Sequence, residues 1–90
     1  MSGASQVRRR QMARAFGTAL REHRGRLKIS QEEFAHRAGL DRTFASLLER
    51  GLRTPTLTVF FTIAEGLDVP PAQLLTDTLA NFGRAGKTPL

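Results

Sequence analysis

The 90-residue chain contains no cysteine, tryptophan or tyrosine. Without cysteine there is no disulfide framework, no thiolate metal site and no cysteine nucleophile. No apolar run approaches the roughly 18 residues that cross a bilayer. No apolar stretch follows the arginines at residues 8–10, so a secretory signal is not expected either. These absences predict a cytoplasmic protein with no membrane partner.

Signals for β-strands and for catalysis are also missing. No segment alternates apolar and polar residues at strand spacing, and no Asn-Gly or Asp-Gly turn occurs. There is no glycine-rich phosphate loop or metal motif, and Ser30 and Ser46 lack a positioned base. His23 and His36 have no carboxylate or cysteine at ligand spacing, so we interpret them as surface residues. The sequence predicts an all-α protein that is not an enzyme and needs no metal, cofactor or small-molecule substrate.

Acidic residues are scarce in the first third of the chain. Residues 1–28 carry eight basic side chains and one acidic one, whereas residues 56–83 carry three acidic ones and no basic one. A small domain with one basic end suggests a polyanionic partner, nucleic acid before a membrane surface. We expect a basic arm over residues 1–10, a folded domain over 11–80 and a flexible tail over 81–90. Arg8, Arg9 and Arg10 either lie along phosphates or a minor groove, or form a disordered basic tail.

Helical spacing of apolar residues runs through the rest of the sequence. Glycines and prolines divide it into five segments that are long enough for helices. The predicted helices span roughly residues 9–26, about eight residues from Gln31, and roughly residues 42–50. A fourth helix, capped by Thr56 or Thr58, runs to about Glu65, and a fifth begins at Pro70 and Pro71. The sequence therefore predicts a compact five-helix bundle.

The clearest local signature lies at residues 30–41. Ser30 and Glu33 match a capping box, in which the serine hydroxyl accepts from the Glu33 amide and the Glu33 carboxylate bonds back to the Ser30 amide. Gly39 supplies the positive φ angle that ends the second helix, and Asp41 is a good N-cap for the third. Two short helices joined by such a turn are typical of a helix-turn-helix, whose second helix enters the DNA major groove.

The first turns of the third predicted helix carry side chains that suit DNA. Arg42, Thr43 and Ser46 project from this end because the helix begins after Asp41. Arginine bonds guanine O6 and N7 in a bidentate manner, and threonine and serine bond bases or phosphates. The alternative is an ordinary solvated helix start.

A long stretch of the sequence resembles the Cro/repressor-like (XRE-type) helix-turn-helix regulators. The likeness spans residues 16–75 and includes S-Q-E-E-F-A-H-R-A-G-L-D-R-T-F-A-S-L-L-E-R-G, then R-T-P-T-L and I-A-E-G-L-D-V-P. The segment L-D-R-T-F-A-S is most similar to the controller proteins of restriction–modification systems. This resemblance implies a lambda-repressor-like DNA-binding domain. It also implies a transcriptional regulator that binds double-stranded DNA at a near-palindromic operator, as a homodimer with its third helix in the major groove.

The resemblance also implies roles for single residues. Residues expected at base edges are Arg42, Thr43, Ser46 and Phe44. Residues expected at phosphates are Gln31, Arg50, Arg53 and Thr54, with Gln31 also bracing the leading end of the third helix. Arg24 and Glu49 match a partly buried structural ion pair. Lys28 departs from the family because relatives have a left-handed glycine there, which implies strain.

Two features leave other functions open. Leu47 stands where relatives use a polar base-reading side chain, so it either packs on a thymine methyl or marks a surface for a protein partner. A core this small can bury only some of six apolar residues, and those that stay exposed suit a homodimer interface. The six are Phe60, Phe61, Leu74, Leu75, Leu79 and Phe82. The alternatives to a regulator are an antitoxin-like module that binds a toxin and its own operator, and a protein–protein adaptor.

Overall fold

A computed structural model describes residues 3–86, which form five α-helices and no strand. The helices are α1 (Gly3–Leu27), α2 (Gln31–Ala38), α3 (Arg42–Glu49), α4 (Leu57–Gly66) and α5 (Pro71–Gly86). The predicted all-α, five-helix fold is confirmed. The inner helix boundaries lie within one residue of the predicted ones, and the larger differences are at the two ends of the chain.

Side-chain caps explain where the three short helices begin. Each cap accepts a hydrogen bond from an amide that has no partner within its helix. The caps are Ser30, Asp41 and Thr56, which accept from the amides of Glu33, Thr43 and Val59 at 3.0, 3.0 and 3.1 Å. The second half of the capping box differs from the prediction, because the Glu33 carboxylate accepts from Arg37 Nε at 3.0 Å instead.

Two residues with positive φ set the directions of the neighbouring helices. Gly39 has φ of 66° between α2 and α3, and the turn is closed by a 2.8 Å bond from the Leu40 amide to the Ala35 carbonyl. Lys28 has φ of 57° after α1, as expected from the family pattern. A side chain with a Cβ atom is strained in this region, so α1 ends at an energetic cost.

The core lies where all five helices meet. Its fully buried large side chains are Leu20, Phe34, Leu48, Ile63, Leu74 and Phe82. The longest helix, α1, runs antiparallel to α5, since Asn81 bonds the Ala15 carbonyl while Asp77 reaches His23 farther along α1. No helix within residues 3–86 is long and apolar enough to cross a membrane.

The described parts of the two expected end segments are helical. Residues 3–10 continue α1 rather than form a separate arm, because no helix breaker separates them from the buried part of α1 and each added residue gains a hydrogen bond. Asn81 and Phe82, expected in a flexible tail, are buried because Leu74, Thr78 and Phe82 follow each other at i, i+4 spacing on the inner face of α5. Residues 1–2 and 87–90 lie outside the described residues.

His23 is not the surface residue that the sequence predicts, since only 8% of it is exposed. Its Nε2 lies 2.6 Å from Asp77 Oδ2, which joins α1 to α5. This hydrogen bond lowers the pKa of Asp77, and a 2.9 Å bond from Gln73 adds to the effect. His36 is exposed as expected. The partner of His23 is 54 residues away, which explains why helical spacing did not reveal it.

Candidate nucleic-acid interface

The packing of α2 on α3 leaves one side of α3 open. Ala35 of α2 and Ala45 and Leu48 of α3 are buried in the core, and Leu40 packs partly against it. The opposite side of α3 carries two exposed side chains, Arg42 and Thr43, at its first turn. This is the arrangement that a recognition helix needs, because its leading residues must reach another molecule.

An open cleft of about 310 Å³ runs along this exposed side, and we call it the α3 cleft. Five of its six lining residues carry side-chain hydrogen-bond donors, the sixth is a leucine, and none is acidic. They are Gln31, Arg42, Thr43, Ser46, Leu47 and Arg50. The structure therefore brings five of the eight predicted DNA-contacting residues, and Leu47, to one surface.

The expected ion pair between Arg24 and Glu49 is present behind this cleft. Arg24 donates through Nε to Glu49 Oε2 at 2.6 Å and through Nη2 to Glu49 Oε1 at 2.9 Å. Arg24 also donates to the Ile29 carbonyl at 3.1 Å. The Glu49 side chain is only 3% exposed, and its hydrogen bond raises the pKa of Arg24. The pair neutralises a buried charge and fixes the end of α3 to α1.

Gln31, the first residue of α2, also bonds the last residue of α3. Its Nε2 donates to Glu49 Oε1 at 3.2 Å, and the residue lines the α3 cleft beside Arg42 and Thr43 of the leading end. The cause is the buried carboxylate, whose oxygens need donors beyond Arg24. An amide nitrogen carries two hydrogens, which leaves one for another acceptor in the cleft.

Phe44 does not line the α3 cleft with the other expected base-contacting residues. It is half-buried and packs against the core. Phe44 and Leu48 are four residues apart and therefore share a helix face, and that face is the buried one. Helical spacing was the sequence signal that could have assigned Phe44 to packing.

Arg53 and Thr54 lie in the loop between α3 and α4 and line a second opening of about 280 Å³. We call it the α1–loop cleft. Its lining residues come from α1 and from the loop: Arg9, Arg10, Ala13, Gly51, Leu52, Arg53 and Thr54. Sequence reasoning did not connect the arginines of α1 with this loop, because no local pattern relates segments forty residues apart.

An apolar surface lies on α4 and α5, and we call it the α4–α5 patch. It consists of the exposed residues Leu57, Phe61, Leu75 and Leu79. Leu57 is 72% exposed and lines one groove together with Leu75, so the two helices form a continuous surface. Of the set expected to exceed the core, Leu74 and Phe82 are buried and Phe60 is half-buried. Among residues 3–86, no three His, Asp or Glu side chains are arranged to hold a metal ion.

Two short helices at a glycine turn, with an exposed donor-rich face on the second, define a small helix-turn-helix protein. Residues 20–74 match a helix-turn-helix family. The chain belongs to the XRE-type helix-turn-helix family of DNA-binding transcriptional regulators. The resemblance predicted from the sequence is thus confirmed.

Two relatives and one protein of the same fold are similar to this chain. The HTH-type transcriptional regulator y4dJ of Sinorhizobium fredii is 37% identical over 59 residues, which are 66% of this chain and 73% of that protein. The restriction–modification controller protein C.AhdI of Aeromonas hydrophila is 39% identical, with a TM-score of 0.67 over 69% of this chain and 94% of that one. The controller protein C.Esp1396I, solved as a tetramer with its natural 35-base-pair operator, shares the fold, with a TM-score of 0.73 and 24% identity over 79% of this chain and 93% of that one.

Proposed function

We propose that this protein is a sequence-specific transcriptional regulator that binds a near-palindromic operator in double-stranded DNA as a homodimer. The observation that carries the proposal is the α3 cleft, where donors of three kinds line the exposed side of a short helix with no acidic residue among them. In a protein of this family, such a helix suits the DNA major groove.

Base reading is assigned to the first turns of α3. Arg42 is exposed at the first position of the helix and has the reach to bond guanine O6 and N7. Thr43 and Ser46 line the same cleft and supply hydroxyls for bases or phosphates. Leu47 supplies apolar contact, for which a thymine methyl is the matching group on DNA. Phe44 is left to support α3 from the core side.

Phosphate contacts are assigned to the residues around this helix. Arg50 and Gln31 lie in the α3 cleft, and Arg53 and Thr54 follow in the loop. Their donors have no sequence preference of their own but fix the position of α3 relative to the groove. The Arg24–Glu49 pair supports this positioning because it holds the C-terminal end of α3 against α1.

Dimerisation is assigned to the α4–α5 patch. Leu57 and Phe61 lie one turn apart on α4, and Leu75 and Leu79 lie one turn apart on α5. Burying this surface against a second copy removes apolar area from water. In the resulting dimer the two α3 helices enter successive major grooves, about 34 Å apart, and so read an inverted repeat.

Selection of bound fragments from a random DNA library tests the proposal. We expect the recovered fragments to share an inverted repeat with half-sites one helical turn apart or a multiple of it. The double variant Thr43→Val and Ser46→Ala leaves the net charge unchanged. Its selected motif should show a weaker base preference at the base pairs that these two hydroxyls contact. Thr58→Val, which removes an exposed hydroxyl from α4, is the control and should leave the motif unchanged. Recovery of no shared sequence would refute base-specific binding.

A further inference from the structure

We propose that the α1–loop cleft is a second phosphate-binding site, which holds the DNA backbone outside the half-site that α3 reads. The proposal rests on the proposed function for its ligand, duplex DNA. It assigns a role to Arg9 and Arg10 of α1, which act together with Arg53 of the loop.

The packing of α1 on the end of α3 forms this cleft. A Cβ atom at Gly17 would lie 2.7 Å from the carbonyl oxygens of Leu48 and Glu49, and one at Gly51 would lie 3.0 Å from the Arg14 Cα. The α1 backbone therefore touches the end of α3 and the turn that follows. Arg10 lies on the same face of α1 as Arg14 and Gly17, at i+4 and i+7 spacing, so it extends over the loop.

The chemistry of the lining suits an anion. Three of the seven lining residues are arginines and none is acidic. Guanidinium groups bind phosphate through two parallel hydrogen bonds and remain charged at any physiological pH. The loop adds backbone donors, since the amides of Arg53 and Thr54 have no acceptor within residues 3–86. Adjacent unpaired amides and arginines together make an anion-binding surface.

The position of the cleft favours the backbone of the same duplex over a separate ligand. Arg50 lines the α3 cleft and Gly51, the next residue, lines the α1–loop cleft, so the two openings adjoin at the C-terminal end of α3. A groove that holds α3 is bordered by phosphates on both sides. Helix α1, about 37 Å long in total, begins at Gly3 and so extends beyond the arginines of this cleft.

A salt titration with two matched arginine variants tests the site. Arg10→Gln removes a cleft guanidinium, and Arg8→Gln removes the same charge from the opposite side of α1, since two residues turn a helix by about 200°. Binding to a duplex of scrambled sequence is measured against salt concentration. For Arg10→Gln the slope of log K against log salt should fall by about 0.9, the change for one lost phosphate contact. For Arg8→Gln the slope should stay unchanged.

Equal slopes for the two variants would overturn the proposal, because charge alone would then explain the binding. Circular dichroism checks that both variants keep their helix content.

Ethylation interference on the selected operator supplies an independent measurement. Ethylation of phosphates outside the half-site should weaken binding by the wild type and by Arg8→Gln, and should weaken binding by Arg10→Gln less. If no such phosphates are found, the proposal fails while sequence-specific binding stands. Selection could yield no operator while the salt slopes of Arg10→Gln and Arg8→Gln on the scrambled duplex still differ. In that case the proposed regulator function fails, and the proposed phosphate site in the α1–loop cleft stands.

Discussion

The outer surfaces of α3 and of the α4–α5 pair differ in chemistry although all three helices contribute to one core. Ala45 and Leu48 of α3 are as fully buried as Ile63 of α4 and Leu74 of α5. On the outside, α3 carries arginine and hydroxyl groups, whereas α4 and α5 carry large apolar side chains.

The difference indicates two partners of different kinds. A surface of hydrogen-bond donors stays hydrated until a ligand that is rich in acceptors, such as DNA, displaces the water. Exposing an apolar surface to water costs free energy, and burial against another apolar surface removes that cost. This difference supports the proposal that α3 binds DNA and that the α4–α5 patch binds a second copy of the chain. The following predictions test whether these two surfaces act separately.

The largest expected effect comes from the ion pair behind α3. Arg24→Ala leaves the buried Glu49 carboxylate without its main partner and should lower the free energy of unfolding by about 3–5 kcal/mol. Urea unfolding followed by circular dichroism measures this loss. Arg21→Ala, an exposed change on the same helix, should cost no more than about 0.5 kcal/mol. A loss below about 1 kcal/mol for Arg24→Ala would contradict the assigned role of the pair.

The next effect concerns the apolar surface. Phe61→Glu places a charge in the α4–α5 patch and should weaken dimerisation by about 2–3 kcal/mol, since the apolar burial of the ring is lost. Sedimentation velocity over a range of protein concentrations measures the dimer. Leu52→Glu changes an equally exposed leucine outside the patch and should leave the dimer unchanged. If Phe61→Glu dimerises like the wild type, the seam lies elsewhere.

A third prediction concerns base reading by α3. Arg42→Ala should weaken binding to the operator by about 1–3 kcal/mol and change binding to scrambled DNA little, because a base contact gives sequence preference. Fluorescence anisotropy with both duplexes measures the two affinities. Equal losses on both duplexes would show that Arg42 contacts phosphate rather than bases.

Arg53→Ala serves as the control for Arg42→Ala, because a phosphate contact gives affinity without sequence preference. It should weaken both duplexes alike and lower the salt slope by about 0.9. An unchanged slope would remove Arg53 from the phosphate contacts.

The smallest expected effect concerns Lys28, which belongs to neither surface. Lys28→Gly relieves the strain of a positive φ but adds flexibility to the unfolded chain, so the net gain in stability should be about 0.5–1 kcal/mol. Thermal unfolding measures it. DNA affinity measured well below the melting temperature is the control and should not change, and a loss of stability would contradict the strain at this residue.

Local sequence patterns predicted much of this fold because their physical causes are local. The cap at Ser30, the turn at Gly39 and the start of α3 after Asp41 each depend on hydrogen bonds or backbone angles within a few residues. The same patterns predicted which residues lead α3. The predicted end of α5 was less accurate, because burial of Phe82 depends on how α1 and α5 pack. The predicted start of α1 was too late, although no helix breaker stands directly before residue 9.

By itself, the sequence determined the helix-turn-helix and the donor-rich end of α3, since both follow from caps, turn residues and helical spacing. Only the tertiary structure decided that Gln31 bonds Glu49 and that His23 is buried against Asp77. It also decided that the arginines of α1 meet the loop after α3. These contacts join segments far apart in the chain, and helix packing rather than local preference sets their geometry.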